Sequence, residues 1–384
     1  MNKLISIVGV AILLFTACTQ NKIEVTYLKN SLEHKETVYL DFISNNGHIV
    51  SPYIMSVKFG YLGSISFLDG KPDNMESHIS YQSLDFTKPI ETYSPEYYAA
   101  YTIYNIHKTI TYFNLLFDDK IDFNSQKEYM DIEIVFGNTP LLTTPKTYCF
   151  EEKSIMSPSL FSHEIGHRAF WYLESEAGLG VKFGGLTIVH MGLLEYFNMS
   201  LNNSPIEVEE SLSYPNLFRR DARNNYIYPM DSTYTLRYTF KNLERVYADQ
   251  LTNPQSNMSK YLAACYNTYN DYILDNYYDN HYGGMILAGT LWRIREKIGQ
   301  TATDKLVAQM ILELNEYLKM REDYYIGDKN ILSKGADWSD VLFGMIYKDK
   351  EYYNGKNISI IVDEFSKTGY PVQNIRFDNV SNKL

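Results

Sequence analysis

His163 and His167, the two ends of "HEIGH", constrain this chain more than any other feature. Residues four apart share one face of an α-helix, so both imidazoles can address a single point in space. Glu164 projects about 100° away around the same helix. Two neutral nitrogen ligands leave a zinc ion acidic, and a carboxylate held off the ion can take a proton from water. The pattern predicts a helix over about 159–175, with Ser157-Pro158-Ser159 providing the turn and N-cap. Phe161, Ile165, Ala169 and Tyr172 repeat at helical spacing on the opposite side, as a buried face requires. The competing reading is chance, since a chain with eight histidines produces H-E-x-x-H on the order of once in a hundred sequences.

The flanking sequence supports an α+β organisation. "TVYLDF" alternates, and "YIMSVKFGYLGSISFL" is an apolar run, broken by "SNNGH" and "DGKPDN"; both read as strands in a β-rich region over 31–90. Ser94-Pro95 reads as a helix start, with apolar residues at helical spacing down to Phe117. Met130 to Gly137 alternates acid and apolar as a strand does, and "TYCFEEKSIM" reads as an edge hairpin. Gly178, Gly180, Gly184 and Gly185 end the HEIGH helix. Beyond Gly192 the pattern is helical: Leu193 to Leu201, Leu243 to Leu251, Ser259 to Tyr272, His281 to Ile298, Thr303 to Lys319 and Ile358 to Ser366, with Pro254 separating the second from the third.

The first residues read as export machinery. Asn2 and Lys3 precede an apolar stretch from Leu4 to Phe15, too short to span a bilayer comfortably. Phe15-Thr16-Ala17-Cys18 then resembles a bacterial lipobox, which implies a signal peptide over 1–17 and lipid on Cys18. Phe15 replaces the usual Leu, so an ordinary cleaved signal is the alternative. Residues 18–30 read as a polar tether. Of the three cysteines only Cys149 and Cys265 would then remain, as an exported disulfide or as two buried small residues. A net charge of −11 and a pI near 5.3 argue against nucleic acid or anionic lipid headgroups as partners. The 35 tyrosines are spread along the whole chain and mark a compositional bias rather than a binding platform.

Five segments occur in the order of a known pattern: "MSPSLFSHEIGHRAFWYLE", "VHMGLLEYFNMSLNNSP", "NLFRRDARNNYIYPMD", "HYGGMILAGTLWRIREKIGQ" and "NGKNISIIVDEFSKTGY". Together they resemble gluzincin metallopeptidases of the thermolysin and fungalysin type, over about residues 97–370. The resemblance implies a zincin-like fold over 91–375, with a mixed β-sheet N-terminal lobe, a helical C-terminal lobe from about 190 and a cleft between them. It also implies Zn2+ held by His163 and His167, Glu164 as general base, and His281 as donor to the oxyanion of a tetrahedral intermediate. The departure is at the third ligand, where Met191 stands in place of the family's Glu. Glu195 falls on the position that normally supports a zinc-bound histidine.

Three readings of the metal site follow. Glu195 moves in as third ligand; His190 or a water completes the sphere; or the metal is gone and the scaffold binds without cutting. Glu174 and Glu176 lie too near the helix end to fold back. Arg219 and Arg220 fall near a family Arg but read as solvated or salt-bridged, and Trp171 and Trp292 read as packing. The expected function is zinc-dependent endopeptidase cleavage of a protein or peptide substrate in the bacterial cell envelope. The enzyme would be lipid-anchored at the outer membrane or cell surface, or secreted. The alternative is a catalytically inactive pseudo-peptidase serving as a surface binding lipoprotein. A further alternative makes residues 30–90 a separate adhesion or pro-segment-like module.

Overall fold

A computed structural model describes residues 22–29, 32–44, 46–54, 56–62, 67–68, 71–72, 79–118, 121, 131–136, 147–150, 158–175, 188–206, 222–223, 274–327 and 336–377. The expected helices over 243–251 and 259–272, the signal segment, the lipobox and Cys18 lie outside the described residues. So do Cys265, Glu176, Arg219, Arg220 and the four glycines after the HEIGH helix.

The expected tether contains a strand. β1 (Lys22–Lys29) pairs antiparallel with β2 (Leu32–Tyr39). Ile23 and Val25 alternate inward with Glu24 outward, a period-two pattern too short to stand out among polar neighbours. A second, four-stranded sheet has the order β6-β3-β7-β8, built from β3 (Ser56–Leu62), β6 (Ile79–Gln82), β7 (Asp131–Phe136) and β8 (Thr147–Phe150). Two-residue strands β4 (Phe67–Leu68) and β5 (Lys71–Pro72) pair separately. β3 runs antiparallel to β6 and parallel to β7. β3 and β6 therefore share a sheet with β7, a strand that precedes the HEIGH helix. "TYCF" pairs parallel with β7 at the sheet edge, so those two strands make no hairpin; the rest of the expected hairpin lies outside the described residues.

The connection from the β3–β6 ladder to β7 includes α1 (Pro95–Leu116), begun by Ser94, whose side chain accepts from the Tyr97 N–H at 3.1 Å. Phe59 of β3 stacks on Tyr98 of α1 with centroids 6.3 Å apart, fixing helix to sheet. Next come α2 (Pro158–Ser175) with the HEIGH residues and α3 (Ile188–Asn202). Phe113 of α1, Phe170 of α2 and Phe197 of α3 meet as a triad of near-perpendicular rings, 5.8 to 6.2 Å between centroids.

The C-terminal part is helical, in agreement with an α+β class: α4 (Leu274–Ile298), α5 (Gln300–Leu312), α6 (Leu314–Lys319), α7 (Arg321–Tyr324), α8 (Trp338–Tyr353) and α9 (Ile358–Lys367). The single helix expected from Thr303 to Lys319 is broken at Glu313, whose carboxylate is drawn to the buried ammonium of Lys348. α8 is absent from the expected elements, although Asp337 followed by Asp340 was a readable capping signal. The Asp340 carboxylate accepts from the Asp337 N–H at 2.6 Å and from Arg321 Nε at 2.9 Å.

Two features fix α3 in place. Gly192 lets α4 approach closely: a Cβ there would lie 2.7 Å from Leu287 Cβ and 2.9 Å from the Gly284 carbonyl oxygen. Asp304 of α5 is buried and accepts from Ser200 at 2.8 and 2.9 Å, Tyr196 at 2.5 Å and Tyr112 at 3.1 Å, joining α1, α3 and α5. Burial raises the Asp304 pKa above the usual carboxylate range, against the pull of those hydroxyls.

Gly192→Ala should destabilise the chain by about 1–3 kcal/mol through overpacking against the Gly284 backbone. Asp304→Ala should cost about 3 kcal/mol, because it leaves the buried hydroxyls of Tyr196 and Ser200 and the half-buried one of Tyr112 without their acceptor. Urea unfolding followed by circular dichroism checks both; an unchanged midpoint in either variant removes the corresponding contact from the account of stability.

Candidate functional site

The HEIGH helix presents its two histidines as the spacing requires. His163 Nε2 and His167 Nε2 lie 3.0 Å apart, with the rings edge to face and centroids 4.6 Å apart. This is a hydrogen-bond contact between the rings, a little shorter than the roughly 3.3 Å that two zinc–nitrogen bonds span at the tetrahedral angle. His163 is buried, while His167 and Glu164 are half-buried, so the pair and the carboxylate sit at the edge of the packed interior. The other side of the helix is core: Ile165, Ala169, Phe170 and Leu173 are buried. Tyr172 is half-buried, and the Phe161 side chain lies outside the described residues. Gly166 faces α3 closely, since a Cβ there would displace the Cδ1 methyl of Leu194.

Helix α3 supplies the remaining polar groups. His190 is fully buried, and its Nε2 lies 3.0 Å from Nδ1 of His167. Its ring stacks on His167 with centroids 5.2 Å apart and a 26° tilt, and meets Phe170 nearly edge-on at 5.2 Å. His190 thus stands behind His167, on the ring nitrogen that points away from His163. Sequence separation of 23 residues and the absence of any local motif gave no signal for this contact. Met191, in the expected ligand slot, is 2% exposed and its Cβ lies against Gly284 of α4, so it fills a helix crossing. Glu195 is fully buried on the same helix.

The fit to a metal is partial. The two imidazoles meet on one helix face, but among the described residues no group of three or more His, Cys, Asp or Glu side chains converges as a ligand set. Neither Glu195 nor His190 joins the pair in such a group. The backbone of His281 lies on α4, one turn before Gly284; its side chain lies outside the described residues, as do those of Glu174, Trp171 and Cys149. Trp292 is buried at 4% exposure, donates to Glu296 at 3.0 Å and carries Arg295 over its ring, which makes it a packing residue.

A second histidine contact escaped the sequence reading. Ser51 Oγ lies 2.7 Å from His107 Nε2, a distance that suits a nucleophile and its base. The same oxygen accepts the N–H groups of Tyr53 and Ile54 at 3.0 Å each, which occupies its lone pairs. This serine closes a turn and is poorly placed to attack a substrate. Phe42 and Tyr53 pack around the imidazole at 5.1 and 5.4 Å.

Among the described residues no helix is long and apolar enough to cross a membrane. No protein-family model matches the chain, and no curated protein matches it.

Burial lowers the pKa of His107 below the ordinary histidine value, against the opposing pull of Asp41. The unfolded chain then binds this proton more readily than the folded one. The stability the group contributes is full above about pH 6.5 and is lost as pH falls through the lowered folded value. The urea midpoint should therefore fall between about pH 7.5 and about pH 5, and His107→Gln should flatten that slope. An identical slope in the variant would assign the acid sensitivity to other groups.

Proposed function

We propose that this chain is an exported zinc-dependent endopeptidase with a zincin-like fold of the gluzincin type, lipid-anchored through Cys18 or secreted into the cell envelope. The observation that carries the reading is the 3.0 Å pairing of the His163 and His167 Nε2 atoms on a helix that also bears Glu164. The mixed sheet beside α1, followed by the HEIGH helix and then α3, is compatible with that fold.

His163 and His167 would hold the ion, with Glu195 as the proposed third donor. A bound zinc ion supplies Lewis acidity toward a peptide carbonyl and lowers the pKa of water at the site. Glu164, half-buried at the edge of the helix, takes the proton from the attacking water and returns it to the leaving amine. His281 is assigned the oxyanion, where one donor is worth about 3 kcal/mol of barrier. The substrate class is a protein or peptide, with no role for nucleic acid.

A second reading is favoured by one observation: Met191 lies buried against Gly284 where a ligating carboxylate is expected. On that reading the scaffold is a pseudo-peptidase that binds a partner at the cell surface without cutting it.

Zinc content and casein digestion of the purified full chain separate the two. The peptidase reading expects about one zinc per chain in wild type, as a single catalytic site requires. Glu164→Gln should keep the metal and lose casein digestion by about 100-fold or more. Glu195→Ala should lose the metal; full retention there would remove Glu195 from the ligand set. A zinc-free wild type, or digestion unaffected by Glu164→Gln, would sink the enzyme and leave the binding protein.

A further inference from the structure

We infer that the outer face of the β1–β2 ladder, around Lys22 and Tyr39, rests on the membrane interface in which the Cys18 lipid is seated and so sets how the folded body is oriented on the bilayer. This face acts only where Cys18 carries lipid, so it rests on the anchor reading above; the metal site plays no part in it.

β1 begins at Lys22, four positions after Cys18, where a polar tether to about residue 30 was expected. Four extended residues reach at most about 14 Å. The headgroup region of one leaflet is itself about 5–7 Å thick, so a lipid on Cys18 holds the start of β1 against the surface. Lys22 pairs directly with Tyr39 across the ladder. Residues opposite one another in an antiparallel pair share a face, and here Lys22, Glu24, Thr37 and Tyr39 are exposed while Ile23, Val25 and Val38 are buried behind them.

The chemistry of that face suits an interface between lipid and water. Tyr39 is 55% exposed, and a tyrosine ring sits among headgroups with its hydroxyl in water. Lys22 beside it has a stem long enough to lie along apolar surface and deliver its ammonium to phosphate. Val50, 63% exposed, donates its N–H to the Phe42 carbonyl at 2.7 Å, three residues past Tyr39, and adds an apolar side chain near the same end. Lys22 and Lys35 on the face offset Glu24 on it and Asp41 just beyond, so this corner is locally neutral on a chain of net charge −11. A zwitterionic lipid surface fits it. The short reach from the anchor favours lipid over a second copy of the chain as the occupant.

The ladder is firmly joined to the body. Ile23, Val25, Val38 and Leu40 belong to the main core, and Tyr104 of α1 donates to Glu36 of β2 at 3.5 Å. α1 in turn meets the HEIGH helix through Phe113 and Phe170. Contact at Tyr39 therefore fixes which way that helix faces the membrane.

The test uses the full chain, expressed in a bacterial host that lipidates exported cysteines and reconstituted on phosphatidylcholine vesicles with and without bromine on the upper acyl chains. The mass of the N-terminal peptide reports lipid on Cys18. Tyr39→Trp adds one indole to the three native tryptophans, and bromine should remove about half or more of the emission it adds, as a ring at the interface requires. Ile326→Trp, at an exposed position in the helical C-terminal part, should be unaffected by bromine. No quenching of Tyr39→Trp with lipid present on Cys18 overturns the membrane face and leaves the anchor standing. Equal quenching of Tyr39→Trp and Ile326→Trp also overturns it, because the body then has no preferred face. Emission of Tyr39→Trp that shifts with protein density on unbrominated vesicles gives the face to a second copy instead. An unlipidated Cys18 overturns the anchor and this face with it, a result read from mass and separate from the quenching.

Discussion

Helix α3 is buried without interruption from Val189 to Ser200, and the rest of the molecule is arranged around that fact. A helix covered on every side cannot send its polar residues to water, so each must find a partner inside the protein. Ser200 and Tyr196 meet Asp304, Asn198 meets Ser162 of α2, and His190 meets His167. These contacts tie α3 to α5 and α2, while the Phe113, Phe170 and Phe197 rings fill the apolar space between α1, α2 and α3. The candidate site is one consequence of satisfying this helix.

The same burial limits what α3 can offer a metal. A ligand must leave its own packing to reach an ion, and Met191 has taken the opposite course by filling the crossing with α4. What α3 does deliver beside the HEIGH pair is the buried ring of His190 behind one of its members.

Elements with strong local signals were legible in the sequence. The Ser94-Pro95 start of α1, the alternation of β7 and the Pro158 start of α2 are each set by residues within a few positions of one another. Weak or conflicting local signals misled. β1 places Ile23 and Val25 among charged and polar neighbours, and α8 needed its Asp337–Asp340 cap to be recognised. At the break, Glu313 accepts from Lys348, 35 residues away, a partner its own neighbourhood does not reveal. The parallel pairing of the edge strand "TYCF" with β7 is likewise not written in the strand's own composition, which names neither its partner nor its direction.

The sequence by itself determined the HEIGH geometry: a four-residue spacing on a helix places two imidazoles on one face whatever surrounds them, and Glu164 follows from the same rotation. It also determined the acidic balance and the strand-rich first part followed by a helical second part that define an α+β chain. Only the tertiary structure decided which nitrogen of His167 faces His163 and which faces His190, and that Met191 turns into a helix crossing. Those outcomes depend on how α2, α3 and α4 close on one another. Contact between residues distant in sequence is fixed by shape and burial in the assembled core, which no local pattern of residues encodes.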